Sequence, residues 1–335
     1  MGPCNPHRAD GLARLQRRSL ELYSDFCRHL HEETGIDPEY DCRGELDLLF
    51  TEDAVRIGRA DELAGRSWPS PDGQPLFVLH GSDETCRLEP VVSDRILGSL
   101  ECRITAQVRN PRLLQALKTA CLRAGVTIHE MSLVRDFLFD RDRVVGVQLE
   151  TQDLAARHVV LCAGAWSSRI GEHLSHIMPV HPVRGQMVLI KAERRLFGRV
   201  ISRGKTYLVP RRDGHTLLGS TEEPEAGFNK RTTAKGVSAL LEKAMHMVPS
   251  LADAPILATW AGLRPATPDE KPYIGPVPGM EGLIAATGHF RAGLTLAPAT
   301  AEAVTSLILT RPFDIDLSPF APGRAVSPHA NRALR

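Results

Sequence analysis

The 335-residue sequence is poor in the features that mark special classes of protein. Its seven cysteines, at positions 4, 27, 42, 86, 102, 121 and 162, form no CxxC pair, which removes zinc-ribbon and dithiol redox readings. Their odd number and apolar neighbours suit reduced, mostly buried thiols of a cytoplasmic protein. No HExxH occurs; His29 and His31 on one expected helix are the nearest approach to a metal spacing, and no metal site is expected. Lysine plus arginine (41) nearly cancels aspartate plus glutamate (40), and aromatics make up only 5%, so the basic-aromatic surface of a nucleic-acid binder is missing. No apolar run is long enough to span a bilayer. The opening "MGPCNPHRADGLARLQRRS" has no signal-peptide core, and Pro6 stands where a myristoylation signal needs Ser or Thr. There is no internal repeat, no low-complexity tract and no GxGxxG. A small molecule is the expected partner.

What is present is a mixture of helical and strand patterns. Leu12, Leu15, Leu20, Leu22, Tyr23, Phe26 and Leu30 recur at helical spacing, so residues 12–34 predict an amphipathic helix ending at Gly35. "YDCRGELDLLF" (40–50) reads as a strand, "EDAVRIGRADELAG" as a helix, and residues 67–75 as a Pro/Gly/Ser-rich loop. A third helix is expected over 110–124, with Asn110 as cap and Pro111 at its first position. "VTIHE", "RVVGVQLE" and "HVVLCAGAW" predict strands, the last buried on both faces as in a parallel sheet. "QMVLIKA", "VISR" and a hairpin turning at Asp213-Gly214 follow, then a helix over 232–248 and a strand in "ILATWAGLRPATPD". The fold class expected is α+β, a mixed α/β chain of one large or two medium domains.

Some phrases hold residues that composition does not explain. "CAGAW" ends a strand in small residues, Ala163 and Gly164, before Trp166; it is either a plain turn or a place where a flat ligand lies on backbone. Arg184 and Gly185 in "HPVRGQM" are ligand-facing or a bulge. Arg264 in "GLRP" sits between Gly262 and Pro265, and its guanidinium fork suits a carboxylate. In "ATGHFRAGLTLAPATAEAV" a strand, a glycine turn and a helix follow one another, with Arg291 at the turn. The helix is expected to begin near Leu294 to Ala297, because Pro298 is tolerated only in a first turn. Its free amides and dipole would suit an anion, although an ordinary corner with a solvated arginine explains the phrase equally well.

Taken in order, "VVLCAGAWSS", "HPVRGQM", "YLVPRRDGHTLLGSTEE", "WAGLRPATPDEKPYIGP" and "ATGHFRAGLTLAPATAEAV" resemble the D-amino acid oxidase family of FAD-dependent oxidoreductases, and within it the glycine oxidases of thiamine biosynthesis. The likeness runs from about residue 10 to 325. It implies noncovalent FAD, since no cysteine follows Cys162 to tether a flavin. It implies a substrate-carboxylate clamp of Arg264 and Tyr207, with Arg291 beside substrate and flavin. Ala163, Gly164, Trp166, Arg184, Gly288, His289, Phe290, Ala292, Gly293, Leu294 and Thr295 would hold the cofactor, His289 also reading as a turn histidine bonded to backbone. The implied reaction is oxidation of glycine or another small amine to the oxo acid, ammonia and hydrogen peroxide, without a protein base. A same-fold dehydrogenase using an acceptor other than oxygen is the alternative, and a homo-oligomer is possible.

The resemblance divides the chain into an FAD-binding part (1–40, 101–172 and 262–325) and an antiparallel-sheet substrate part (41–100 and 173–261). The FAD-binding Rossmann-like part is incomplete, because the family's GxGxxG strand-turn-helix has no counterpart. An N-terminally incomplete copy of a functional gene is expected, against a short protein with weakened FAD binding or a non-catalytic remnant.

Overall fold

The computed structural model describes residues 5–66, 68, 73–171 and 174–325. Helix α1 (Gly11–Thr34) begins where the Asp10 side chain accepts from the Ala13 amide, and it stops at Gly35 in the left-handed region, φ 76°. Its buried residues include Leu15, Tyr23, Cys27 and Leu30, one stripe at helical spacing. Next come β1 (Glu45–Leu49), α2 (Glu52–Gly65), β2 (Phe77–Gly81), α3 (Ser82–Leu88), β3 (Gly98–Cys102) and α4 (Asn110–Arg123). The middle of the chain holds β4 (Val134–Asp140), β5 (Arg143–Leu149), β6 (Asp153–Ala155), β7 (Val159–Leu161), α5 (Leu174–Ile177) and β8 (His181–Lys191). It continues through β9 (Val200–Arg203), β10 (Thr206–Pro210), β11 (His215–Gly219), α6 (Ala234–Met247) and β12 (Ile256–Ala266). The chain closes with β13 (Tyr273–Pro276), β14 (Leu283–Thr287) and α7 (Gly293–Ile308).

The largest sheet has eight strands in the order β12-β8-β11-β10-β9-β1-β3-β2. Its pairs are antiparallel apart from β1 with β9. Side chains alternate across such a sheet, and here the two faces are unlike. Leu46, Leu48, Val188, Ile201, Leu208 and Leu218 share one face with Leu240, Ala244 and Met247 of α6. Each such side chain contributes about 1.5–3 kcal/mol by leaving water. The cross-strand row Met187–Gly219–Tyr207–Ser202–Asp47 lies on the opposite face. By the two-residue period, Glu45, Gly185 and Arg264 lie there too. One face therefore holds the sheet together and leaves the other for polar groups.

Among the described residues there are also two three-stranded sheets, β13-β14-β7 and β4-β5-β6. β14 runs parallel to β7, and Leu161, Leu174, Met178, Tyr273 and Leu283 share a core beside them. α1 packs on α7 and α4.

Several expectations fail for physical reasons. "VTIHE" (126–130) forms no strand; Val126 and Ile128 are exposed and no described strand pairs with them. β7 is only three residues long and half-buried at Val159 and Val160, not buried on both faces, because only β14 pairs with it among the described strands. α4 begins at Asn110 itself, with Arg109 at the cap position and no side-chain cap. Only Cys27 and Cys102 are buried among the six described cysteines. Of the loop at 67–75, residues 67 and 69–72 lie outside the described residues.

Pro298 is the most informative departure. α7 starts at Gly293, which puts the proline in its second turn, where it cannot donate to the Leu294 carbonyl. The Tyr23 hydroxyl of α1 donates to that carbonyl instead. A tertiary bond thus supplies what the local backbone lacks.

Candidate active site

The cavity face of the large sheet builds the site. Tyr207 and Val209 alternate with buried Thr206, Leu208 and Pro210 along β10, so both face the polar side. Tyr207 lies opposite Gly219 of β11, where a Cβ would come within 2.6 Å of its ring. Arg264 crosses over Gly185 of β8, where a Cβ would stand 2.2 Å from both terminal nitrogens. Two bare backbones therefore make room for the two side chains.

Arg264 is aimed by the segment after β11. Its Nη2 donates to Ser220 Oγ at 2.5 Å and its Nη1 to the Thr221 carbonyl at 3.1 Å. Neither partner is charged, and Arg264 enters no ion pair among the described residues. Burial, followed by Arg291, pulls its pKa below the usual arginine value, while the nearby Tyr207 hydroxyl works the other way; an arginine remains charged regardless. The Tyr207 hydroxyl itself has a weak partner, Met187 Sδ at 3.8 Å.

A cavity of about 330 Å³ brings Tyr207, Arg264, Arg291, Leu294 and Thr295 together. Glu45, Thr105, Gln107, Ser202 and Arg211, which sequence reasoning missed, line it as well. Glu45 is buried and accepts from the Thr105 hydroxyl at 3.1 Å; burial pushes its pKa up. The signal for it was the alternation of β1, in which the polar Glu45 and Asp47 alternate with Leu46 and Leu48.

Ala163, Gly164 and Trp166 occupy the turn after β7, Gly288, His289, Phe290 and Ala292 the turn between β14 and α7, and Gly293 is the first residue of α7. These two turns end the parallel pair side by side, joined by Ser167 Oγ–Thr287 Oγ1 at 2.6 Å and by Thr287 Oγ1 donating to the Gly164 carbonyl at 3.3 Å. The crevice outside the carboxyl ends of parallel strands is where open α/β sheets receive ligands. Gly164 has φ 54° with open space at its Cβ position, and Phe290 also takes a left-handed φ of 48°. His289 Nε2 lies 3.1 Å from the Thr300 hydroxyl, a side-chain partner in place of the expected backbone one, and burial lowers its pKa to about 4.

Arg184 lies apart from both groups. Its Nη2 is 2.5 Å from Glu223 Oε2, and its Nη1 donates to the Arg231 carbonyl at 3.0 Å. It shares the α6-covered face with Gln186, one residue out of phase with Gly185.

These residues fit the ring end of a flavin. α7 begins without a side-chain cap, whereas Asp10, Thr51 and Thr233 cap α1, α2 and α6. Its first amides have no intrahelical partner, and Leu294 and Thr295 of that turn line the cavity. The diphosphate end has no GxGxxG in this sequence.

The chain belongs to the family of FAD dependent oxidoreductases, whose family model matches residues 2–307. It is 38% identical over 325 residues to a glycine oxidase of Pseudomonas putida, covering 96% of this chain and 86% of that protein. It is 33% identical over 312 residues to a bifunctional protein ThiO/ThiG of a Nostoc species, covering 90% of this chain and 45% of that one. The crystal structure of glycine oxidase from Geobacillus kaustophilus superposes with a TM-score of 0.88 at 30% identity, covering 95% of this chain and 85% of that chain. The mixed α/β class, the oxidoreductase class and FAD as cofactor stand on these findings. Among the described residues no helix is long and apolar enough to cross a membrane, and no group of His, Cys, Asp and Glu is placed to hold a metal.

Proposed function

We propose that the chain oxidises glycine, or another small amino acid or amine, to the oxo acid, ammonia and hydrogen peroxide, serving thiamine thiazole synthesis in the cytoplasm. The observation that carries this reading is Arg264. It is held by neutral hydrogen-bond partners, cradled over Gly185 and engaged in no ion pair among the described residues, with Glu222 acting on it only through space, so its fork is kept for a ligand. A charge-assisted bond from its fork to a carboxylate contributes about 1.5–3 kcal/mol. The Tyr207 hydroxyl, with only a sulfur acceptor, adds a second donor to the same anion.

Two donors fix a carboxylate in direction as well as place. Orientation of this kind supplies most of what the protein must contribute when the substrate itself gives up the electrons. FAD, when bound, supplies the two-electron acceptor. Leu294 and Thr295 would present backbone amides to the pyrimidine edge of its ring, and the small residues 163–165 would flank it. The balance is glycine, oxygen and water in, glyoxylate, ammonia and hydrogen peroxide out. The division of the chain into FAD-binding and substrate parts belongs to the same proposal.

The visible spectrum of the purified chain with added FAD, before and after anaerobic glycine, tests it. A bound-flavin spectrum that bleaches, followed by peroxide on admission of air, is the expected result. Flavin binding without bleaching by glycine or any small amine would refute the reading.

A further inference from the structure

Of the three arginines that line the cavity, Arg264 and Arg291 differ in what already holds them. The hydrogen bonds of Arg264 go to neutral groups, whereas Arg291 Nη1 lies 3.1 Å from Glu222 Oε2. The other oxygen, Glu222 Oε1, is 2.7 Å from Lys205 Nζ, and the Lys205 carbonyl accepts from Arg291 Nη2 at 3.3 Å. Burial pushes the Glu222 carboxyl up, but Lys205, Arg291 and Arg264 outweigh it and hold its pKa below the usual carboxylate range. Glu222 follows Ser220 and Thr221, the partners of Arg264, so one short segment serves both arginines.

This is a carboxylate seated between two cations beside a cavity that already offers a separate arginine for a carboxylate. We infer that Glu222 is a specificity-determining residue, filling with the protein's own carboxylate the Arg291–Lys205 seat that a second substrate carboxylate would take. The inference rests on Arg264 as the clamp for the first carboxylate. With Glu222 in place the chain selects monocarboxylic amines. A dicarboxylic amine must displace an ionised group that is covalently held in position, and it brings no better partner than the one it displaces.

Sarcosine and iminodiacetate are the probes, since iminodiacetate carries a carboxylate where sarcosine has hydrogen on its N-methyl group. Anaerobic calorimetry on protein incubated with FAD and then reduced with dithionite, so that neither probe is oxidised during the titration, gives the Kd of each for wild type, Glu222→Ala, Glu222→Gln, Arg264→Gln and the double variant Glu222→Ala/Arg291→Gln. Glu222→Ala is expected to improve iminodiacetate relative to sarcosine at least tenfold, Glu222→Gln several-fold, and Arg291→Gln added to the alanine variant to erase the gain. A ratio within twofold of wild type in Glu222→Ala, or a gain that survives the loss of Arg291, overturns the inference while the clamp reading stands. Sarcosine binding Arg264→Gln as tightly as wild type overturns both.

Discussion

His289 carries a pH dependence that belongs to one residue. Burial lowers its pKa from 6.5 to about 4, so the folded chain keeps the ring neutral where the unfolded chain protonates it. The stabilisation is complete above pH 6.5 and is lost as pH falls from 6.5 to about 4, because the unfolded state then binds the extra proton. At 1.36 kcal/mol per unit the loss amounts to about 3 kcal/mol. Urea unfolding at pH 7.5, 5.5 and 4.5 is expected to show a steeper decline for wild type than for His289→Asn. Parallel declines would mean that the ring titrates alike folded and unfolded. The same scale shows why the sequence pointed Arg264 at a carboxylate but left Arg184 open between a ligand-facing side chain and a bulge. Both arginines have a glycine close by, and only their positions in the β8–β12 register send one to Glu223 and the other over Gly185.

At the scale of elements, α1 and α7 are joined through the defect that Pro298 makes. Tyr23→Phe leaves the Leu294 carbonyl without its donor, which costs about 1–3 kcal/mol. Pro298→Ala restores an amide to the helix, so the tyrosine substitution is expected to cost less in that background. Chemical denaturation of the two single variants and the double variant closes the cycle; additive costs would show that the hydroxyl does not substitute for the missing amide. The end of α1 was legible in the sequence because a glycine such as Gly35 stops a helix within a turn of the backbone. The start of α7 was read too late because its compensation comes from Tyr23, distant in the chain. "VTIHE" was misread because a strand exists only with a partner to pair with. Phrases around Arg264, Tyr207 and Arg291 pointed to a common cavity, but Glu222 escaped notice, since its meaning lies in a pairing across 69 positions.

For the whole molecule, the two faces of the large sheet separate stability from chemistry at adjacent positions. Leu208 is fully buried against the α6 layer, and Leu208→Ala is expected to cost roughly 2–5 kcal/mol. Tyr207→Phe, one residue away, is expected to move stability by no more than about 1 kcal/mol and to weaken carboxylate binding. Thermal melts and calorimetric titration with glycolate measure the two quantities; a Tyr207→Phe variant with unchanged affinity would remove the hydroxyl from the clamp. The segment Ser220–Glu223 is where the division is crossed. Thr221 gives its carbonyl to Arg264 and its hydroxyl to Glu223; Glu223 accepts from Gln186, and Gln186 bonds Thr233, the cap of α6. The occupant of the cavity and the helix behind the sheet thus hang on one thread of polar contacts. A carboxylate that tugs on Arg264 pulls, a few links later, on the first turn of a helix it never meets.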